Sequence, residues 1–311
     1  MDIKMKKLLA LLLAGALLTV GLASCSKKNA DKDDRDASYV EDEVVVNDVR
    51  LESVDADGNA QKDENGLRIY EYFRFETIDD ETVELVSFRS EVLGSAAGET
   101  PSYLPCYTPH TVVIPATLGG KTVTNIGASA FKQRTEITAV VIPDTVAVIG
   151  NYAFDECDAL TAVSLPAGLT TLGEAAFYKC ANLASLTFAD GAPLETISKA
   201  AFQGCTSLTS VSIPASVRTI AEGAFLGCTA LASVTVAEGV TRIEAQAFQN
   251  LSALASLSLP ASVTYLGGYN FYGSPLLTDA NATAPAGSVA DAFLARLLAG
   301  DPPVEAVEAA E

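Results

Sequence analysis

A regularly spaced row of phenylalanines constrains the fold of this chain more than any other sequence feature. Seven phenylalanines follow one another at intervals of 23 residues, apart from one interval of 25 between Phe177 and Phe202. The seven are Phe131, Phe154, Phe177, Phe202, Phe225, Phe248 and Phe271. A fixed period of this length indicates an array of stacked repeats. Because so short a unit cannot bury its apolar face alone, we expect neighbouring units to share one continuous core.

Each repeat divides into two extended segments and one segment with helical spacing. The clearest unit reads Pro143-x-x-Val146-x-x-Ile149-Gly150-x-x-Ala153-Phe154-x-x-Cys157-x-x-Leu160-x-x-Val163-x-Leu165-Pro166. Its last part alternates with period two and ends at proline, which predicts a short strand, and V-x-x-I-G predicts a second extended piece. The A-F-x-x-C part predicts a single helical or 3₁₀ turn. We expect the two extra residues of the long interval to lie in Ala189–Leu194. The first unit is five residues longer than the others, and we expect those extra residues around Gly119-Gly120-Lys121.

The repeated pattern resembles the BspA-like class of leucine-rich repeat found in bacterial surface proteins. The resemblance covers about Thr111–Pro275 and recurs in register along that range. It implies a repeat solenoid with units of about 23 residues, mainly β with short helical turns and parallel stacked strands, and it implies a role in adhesion. The departures are Ala189 and Ala237 for the proline, Arg134, Leu251 and Ser274 for the cysteine, and Asn270 for the alanine.

Composition excludes several classes of function. The formal net charge of −19 argues against a nucleic-acid partner, which requires a basic surface. Between Thr111 and Pro275 there are 11 acidic and 7 basic residues. The repeats therefore carry a net charge of −4, and the flanking segments carry the remaining −15. His110 is the single histidine, and we find no nucleophile–base pair, paired-carboxylate motif or phosphate loop. We therefore expect no enzymatic activity and no cofactor.

The first 25 residues have the layout of a secretory signal. Lysines precede the apolar run Leu8–Val20, and Leu22-Ala23-Ser24-Cys25 follows with small residues at the cleavage position. A transmembrane helix over Leu8–Ser24 is the alternative. The four residues that end at Cys25 closely resemble the lipobox of bacterial lipoproteins, which implies that 1–24 are removed and that Cys25 carries the lipid anchoring the protein to the membrane.

The segment after Cys25 bears on location. By the sorting rule of lipoproteins, Ser26 in place of an aspartate implies the outer membrane. The stretch Ser26–Asp34 loosely resembles the Lys/Asp-rich export tag of Bacteroidetes surface lipoproteins, which implies display on the cell surface. A solvated linker on a periplasm-facing protein is the alternative. Residues 25–43 are polar and charged, and we expect them to form a disordered tether.

Residues 44–110 predict a β-rich cap over the open first repeat. Val44–Val54, Leu67–Phe75 and Thr82–Ser90 alternate as strands do, and Glu91–Pro109 is typical of a loop. The stretch 55–66 opens like a calcium loop, but Ala60 and Gly66 occupy positions that need Gly and Glu. A polar hairpin loop is the favoured interpretation.

Four cysteines, Cys157, Cys180, Cys205 and Cys228, stand three residues after their phenylalanines. A metal stack or a chain of disulfides is one interpretation. The 23–25-residue spacing is not that of a zinc site, and adjacent rungs leave too wide a gap for a disulfide. We therefore favour buried free thiols, with Cys106 unpaired outside the row.

The strand positions that flank each inward residue predict an exposed sheet surface rich in hydroxyl groups. Nine of its twelve positions are Ser or Thr, namely Ser164, Ser185, Thr187, Ser210, Ser212, Ser233, Thr235, Ser256 and Ser258. We call these nine residues the hydroxyl face. It is a candidate binding surface, because solenoids use extended faces for binding. Alternatively these residues only keep the sheet soluble, since no Trp, Tyr or Arg anchor is among them. Tyr152, Tyr178, Tyr269 and Tyr272 on the opposite turns offer a rival surface.

The last segment, 276–311, predicts a capping helix over Ser288–Ala299 followed by an acidic tail, with a partner-binding helix as the alternative. Together these features favour a lipid-anchored, adhesin-like protein of the cell surface that binds a host or cell-surface protein or a glycan. A structural envelope scaffold without a soluble ligand is the second hypothesis.

Overall fold

The computed structural model describes residues 46–55, 59–94, 102–105, 108–300 and 306–308. The predicted signal and tether, Cys25 and Cys106 lie outside these residues. Within them, no helix is long and apolar enough to cross a membrane.

The N-terminal segment forms antiparallel strands that continue into the repeats. Its strands are β1 (Val46–Glu52), β2 (Ile69–Thr77), β3 (Thr82–Gly94) and β4 (Ser102–Pro105). The three predicted strands are confirmed, whereas the segment predicted to be a loop contains the end of β3 and all of β4. β3 pairs with β2 and β4 on antiparallel ladders and with the first repeat strand on a parallel one. In the polar loop the Asp63 carboxylate accepts hydrogen bonds from the backbone N–H groups of Asn65 and Leu67, as a hairpin turn requires.

The repeats form a solenoid of stacked rungs, each with two short strands. The first column contains β7 (Lys121–Ile126), β9 (Val148–Ile149), β11 (Thr171–Leu172), β13 (Thr196–Ile197), β15 (Thr219–Ile220), β17 (Arg242–Ile243) and β19 (Tyr265–Leu266). These strands stack parallel in one thirteen-stranded sheet, which confirms the solenoid. The five extra residues of the first unit form a hairpin between β6 (Thr117–Leu118) and β7, turning at Gly119 and Gly120, both with positive φ.

The second column forms two four-stranded parallel sheets. One contains β5 (His110–Val113), β8 (Ile137–Val141), β10 (Ala162–Leu165) and β12 (Ser185–Phe188). The other contains β14 (Ser210–Ile213), β16 (Ser233–Val236), β18 (Ser256–Ser258) and β20 (Ala282–Thr283). Neighbouring strands pair in register one repeat apart, as Val211 does with Val234.

The predicted single turn at each phenylalanine is present, but it does not extend into a helix. In each rung the residues two before and two after the phenylalanine have positive φ, as Tyr152 and Glu156 do around Phe154. A left-handed residue at each end prevents a right-handed helix from continuing. Within the turn the Cys157 N–H donates to the Phe154 carbonyl at 3.3 Å, and the Phe154 N–H donates to the Ala176 carbonyl of the next rung at 2.7 Å.

The phenylalanines form a stacked column through the core. From Phe131 to Phe271 consecutive rings lie 4.8 to 5.4 Å apart at their centroids and within 12° of parallel. Phe88 of β3 stacks on the first ring at 4.9 Å. The edge of Phe293 meets the last ring at 6.5 Å and 76°, so both ends of the column are covered.

The C-terminal segment closes the stack. Helix α1 (Val289–Leu298) begins at Ser288, whose hydroxyl accepts from the Asp291 N–H, and it buries Phe293 against the last rung. The predicted capping helix is confirmed. The predicted acidic tail contains β21 (Val307–Glu308), which pairs with β19. Two residues carry too little periodicity to reveal such a strand.

Asn270 explains why the last rung departs from the repeat. In earlier rungs the phenylalanine N–H donates to the alanine carbonyl of the next rung. Here the N–H of Phe248 donates to the Asn270 side-chain oxygen at 3.0 Å. The Asn270 amide nitrogen donates to the carbonyls of Glu244 and Gly267 at 2.8 and 2.7 Å. The buried side chain therefore supplies bonds that a regular backbone would make.

Candidate binding surface

The strands of the second column place the hydroxyl face on the solenoid surface. In β10, β14 and β16 the inward residues, such as Val163, Val211 and Val234, are buried, while their neighbours point outward. Eight of the nine residues of the hydroxyl face are exposed, and Ser233 is half-buried. Because successive side chains of a strand alternate between faces, this placement follows directly from the pattern V-x-L.

The hydroxyl groups of this face are not used inside the protein. Within the described residues, none of the nine side chains forms an intramolecular hydrogen bond. Threonines at the turns behave differently: Thr161, Thr170 and Thr241 each donate to a carbonyl one rung back, at 2.9 to 3.3 Å. The turn hydroxyls therefore hold the rungs together, whereas those of the hydroxyl face remain available to a ligand.

The long interval divides the hydroxyl face into two patches. No strand pairing joins β12 to β14, although all other neighbours in this column pair. The two extra residues lie in Ala189–Leu194, between β12 and β13, as expected. Ser164, Ser185 and Thr187 form the smaller patch, and the remaining six residues form the larger one. Sequence spacing located the insertion but could not show that it interrupts the ladder.

The four tyrosines do not form one surface. Tyr152 and Tyr178 lie in adjacent rungs, where Lys132 and Lys179 approach their rings at 5.6 and 5.1 Å. Tyr269 and Tyr272, 45% and 48% exposed, lie in the last rung. Four rungs separate the two pairs, which is about 20 Å at a strand spacing of about 4.8 Å. A single partner would have to span that distance to contact both pairs.

The cysteine row is buried and free, as expected. Each thiol donates to the carbonyl of the phenylalanine one rung back, at 3.0 Å for Cys157 and Cys180 and at 3.2 Å for Cys205 and Cys228. Burial raises the pKa of Cys157 and of Cys228 to about 12. At neutral pH these groups are therefore neutral thiols rather than nucleophiles or metal ligands. In the part of the chain that the structure describes, no three His, Cys, Asp or Glu side chains are grouped to hold a metal ion.

A serine–histidine pair that sequence reasoning missed joins β3 to β5. The Nδ1 atom of His110 lies 2.7 Å from the carbonyl of Thr108, which can only accept, so Nδ1 carries the proton. Nε2 then accepts from the Ser90 hydroxyl at 3.0 Å. Both residues are only 4% exposed, and burial lowers the pKa of His110. A substrate cannot reach this pair, so its role is to connect strands. Its partners are 20 residues apart, and no motif relates them.

A family comparison accounts for the repeated unit. The model of the BspA type leucine-rich repeat region matches residues 124–225 and 191–293, with six copies of the repeat, which together cover more than half of the chain. The chain belongs to the BspA-type leucine-rich repeat family. Leucine-rich repeat proteins generally mediate protein interactions and act as binding or scaffold proteins.

Solved leucine-rich repeat structures resemble this BspA-type protein. The leucine-rich repeat protein of T. pallidum is 28% identical with a TM-score of 0.53, covering 67% of this chain and 89% of that one. A leucine-rich repeat protein from Eubacterium ventriosum is 26% identical with a TM-score of 0.47, covering 57% of this chain and 48% of that one. A leucine rich cell surface protein from Faecalibacterium prausnitzii is 26% identical with a TM-score of 0.40, covering 64% and 54%. No curated protein is similar enough to count as a relative.

Proposed function

We propose that this chain is an adhesin-like binding protein, anchored by lipid at the outer membrane, exposed on the cell surface, and contacting its partner through the hydroxyl face. The unused hydroxyl groups carry this proposal. They form two flat patches of donors and acceptors, whereas chemically identical groups at the turns are engaged with the backbone. The outward positions of these strands hold no charged residue. The hydroxyl face therefore suits a partner whose contacting surface is polar but uncharged.

The partner class we favour is a protein of a host or of another cell, and a glycan is the second possibility. Leucine-rich repeat proteins generally bind proteins, which supports the first. A protein strand or loop can place backbone N–H and C=O groups against rows of hydroxyls about 4.8 Å apart. Without Trp, Tyr or Arg anchors, each contact contributes little, and we expect binding to depend on many hydroxyls together.

Substitution by lysine tests this choice of face. The variant Ser185→Lys, Ser210→Lys and Ser256→Lys places three long cations on the hydroxyl face without touching the core. Thr219→Lys on the other strand column, with Gln246→Lys and Gln249→Lys on the phenylalanine turns, forms the matched control at three half-buried polar positions away from the hydroxyl face. Binding to matrix proteins and epithelial cells should fall at least tenfold in the first variant only. Equal binding by both variants would reject the face.

The anchor is tested separately at Cys25. Lipoprotein processing would attach the lipid there, so Cys25→Ala should abolish metabolic labelling by radioactive palmitate and release the chain from the membrane fraction. Protease treatment of intact cells should remove the repeats if they face outward. Repeats that survive this treatment, yet are cleaved after the outer membrane is opened, would place the protein on the periplasmic side.

A structural envelope scaffold is the second candidate function. Its supporting observation is the absence of Trp, Tyr and Arg from the outward positions of β10, β12, β14, β16 and β18, since such anchors dominate most binding sites. If the purified chain binds none of the matrix proteins, cells or glycans offered, while its deletion alters the envelope, this second function replaces the first.

A further inference from the structure

The insertion that divides the hydroxyl face also opens a groove on the opposite column of strands. The groove lies between β11 and β13 and has a volume of about 380 Å³. It is lined by the hydroxyl residues Thr170, Thr171, Thr196 and Ser198, by Glu195, and by Pro193 as one wall. Its size falls within the range of about 300 to 1,000 Å³ that is usual for small-molecule sites.

Two backbone hydrogen bonds that recur in the neighbouring rungs of this column are not formed at this groove. In six other rungs, the residue that follows the strand donates its N–H one rung back, as Ala221 does to the Ile197 carbonyl at 2.9 Å. The equivalent bond from Ser198 to Leu172 is not formed with hydrogen-bond geometry. A second bond is missing in the same way. The backbone N–H of Arg218 donates to the Glu195 carbonyl one rung back at 2.7 Å, but the equivalent N–H of Glu195 does not donate to the Thr170 carbonyl.

The strand register shows the same opening. β11 and β13 share one paired position, Leu172 with Ile197, whereas β13 and β15 share two. The extra residues therefore hold this pair of rungs apart over a short length. Buried backbone polar groups without a partner are rare in folded proteins, and at an open groove such groups bind solvent or a ligand.

The composition of the groove selects the class of ligand. The groove contains one carboxylate, that of Glu195, whereas a cation site needs several oxygen ligands. Because no Lys or Arg lines the groove, this carboxylate repels anions. Apolar surface is limited to Leu172 and Pro193, so side chains of a bound peptide would find no pocket. The lining offers N–H donors, carbonyl and carboxylate acceptors, and hydroxyls that act as both.

We propose that this groove binds one unit of a neutral saccharide. Adjacent ring hydroxyls of a sugar are both donors and acceptors, and a carboxylate such as that of Glu195 can accept from two of them. The free N–H groups of Glu195 and Ser198 donate to the sugar oxygens, while the Thr171 and Thr196 hydroxyls bond in either sense. A C–H face of the ring lies against Pro193. This site is separate from the hydroxyl face and does not depend on its role.

The test is an amide NMR titration of the mature chain with glucose, galactose, mannose and N-acetylglucosamine, and with tetraglycine as a peptide probe. A ligand this small gives a dissociation constant on the order of millimolar. At least one sugar should shift the amide signals of Glu195 and Ser198. The equivalent amides of the next rung, Arg218 and Ala221, are already bonded and should not move.

Two variants complete the test. Glu195→Gln combined with Thr196→Val should weaken sugar binding at least tenfold, whereas Thr219→Val, on the next strand and outside the groove, should leave it unchanged. Thermal melting of both variants checks that the solenoid is intact. The proposal fails if no sugar moves the groove amides, if tetraglycine moves them and the sugars do not, or if the double variant binds as tightly as the unaltered chain. Lysine substitutions on the hydroxyl face should not affect sugar binding in the groove. A failure of the groove proposal can therefore be distinguished from a failure of the hydroxyl-face proposal.

Discussion

A buried carboxyl in the N-terminal segment provides the sharpest test of how that segment is held on the first rung. Glu71 of β2 is 3% exposed and accepts a hydrogen bond from the Ser53 hydroxyl at 2.7 Å. Gln61 donates to the same hydroxyl and to the Thr111 carbonyl, and its side-chain oxygen accepts from the Thr111 N–H at 3.1 Å. The Gln61 amide thereby pairs with the edge strand β5, and Glu71 lies at the end of this network.

The size of the effect follows from the pKa of Glu71. Burial raises that pKa from 4.5 to about 8, although the Ser53 hydrogen bond opposes the rise. The folded protein keeps the proton where the unfolded chain loses it, so the contribution to stability is complete below pH 4.5 and falls as pH rises. The loss is about 1.4 kcal/mol per pH unit, reaches about 5 kcal/mol, and levels off above about pH 8.

The variant Glu71→Gln removes this titration while keeping the shape of the side chain. We expect it to be more stable than the unaltered chain by an amount that grows by about 1.4 kcal/mol per pH unit between pH 5 and 8. Urea unfolding followed by circular dichroism, together with amide exchange of β2, measures the difference at each pH. Glu64→Gln, which removes an exposed carboxylate from the same hairpin, is the control. A difference between Glu71→Gln and the unaltered chain that does not change with pH would refute the reasoning.

Three further predictions concern the rungs. Asn270→Ala should lower the free energy of unfolding by about 2 to 3 kcal/mol in urea titrations, because it leaves the buried N–H of Phe248 without a partner; no loss would mean that the backbone adopts the regular geometry. Gly227→Ala should cost about 1 kcal/mol in the same assay, since φ is 73° there and a methyl group would meet no atom within 4 Å. The Ser198 amide should exchange with solvent at least roughly tenfold faster than that of Ala221, and equal rates would show that the groove is closed.

Much of the fold could be predicted because a short repeat leaves few alternatives. The period of the phenylalanines defines the rung, and the alternation around Val163 assigns which residues point inward. The turns could not be predicted, because residues such as Tyr152 and Glu156 have no preference for positive φ. The stacking of rungs imposes that conformation, because the N–H groups of Tyr152 and Glu156 donate to carbonyls of the next rung, in addition to the bonds within the turn.

The candidate site was predicted in outline but not in detail. Alternation identified the hydroxyl face, yet it could not show that the ladder breaks between β12 and β14. The groove beside Glu195 is a consequence of the same two extra residues and involves missing backbone bonds, which sequence does not display. The pairing of Ser90 with His110 and of Gln61 with Thr111 depends on how the N-terminal strands meet the first rung, and no local pattern encodes it.

The central claim is that the hydroxyl face contacts the partner, and thiol footprinting tests it most directly. The four cysteines of the core are buried with raised pKa values, so a cysteine introduced at Ser210 would be the reactive thiol once Cys25 and Cys106 are replaced by serine. Its rate of maleimide labelling is measured on the free chain and on the chain bound to epithelial cells, with Thr219→Cys on the opposite column as control. We predict that binding slows labelling at Ser210→Cys at least tenfold and leaves Thr219→Cys unchanged. Undiminished labelling at Ser210→Cys in the bound state would contradict the claim.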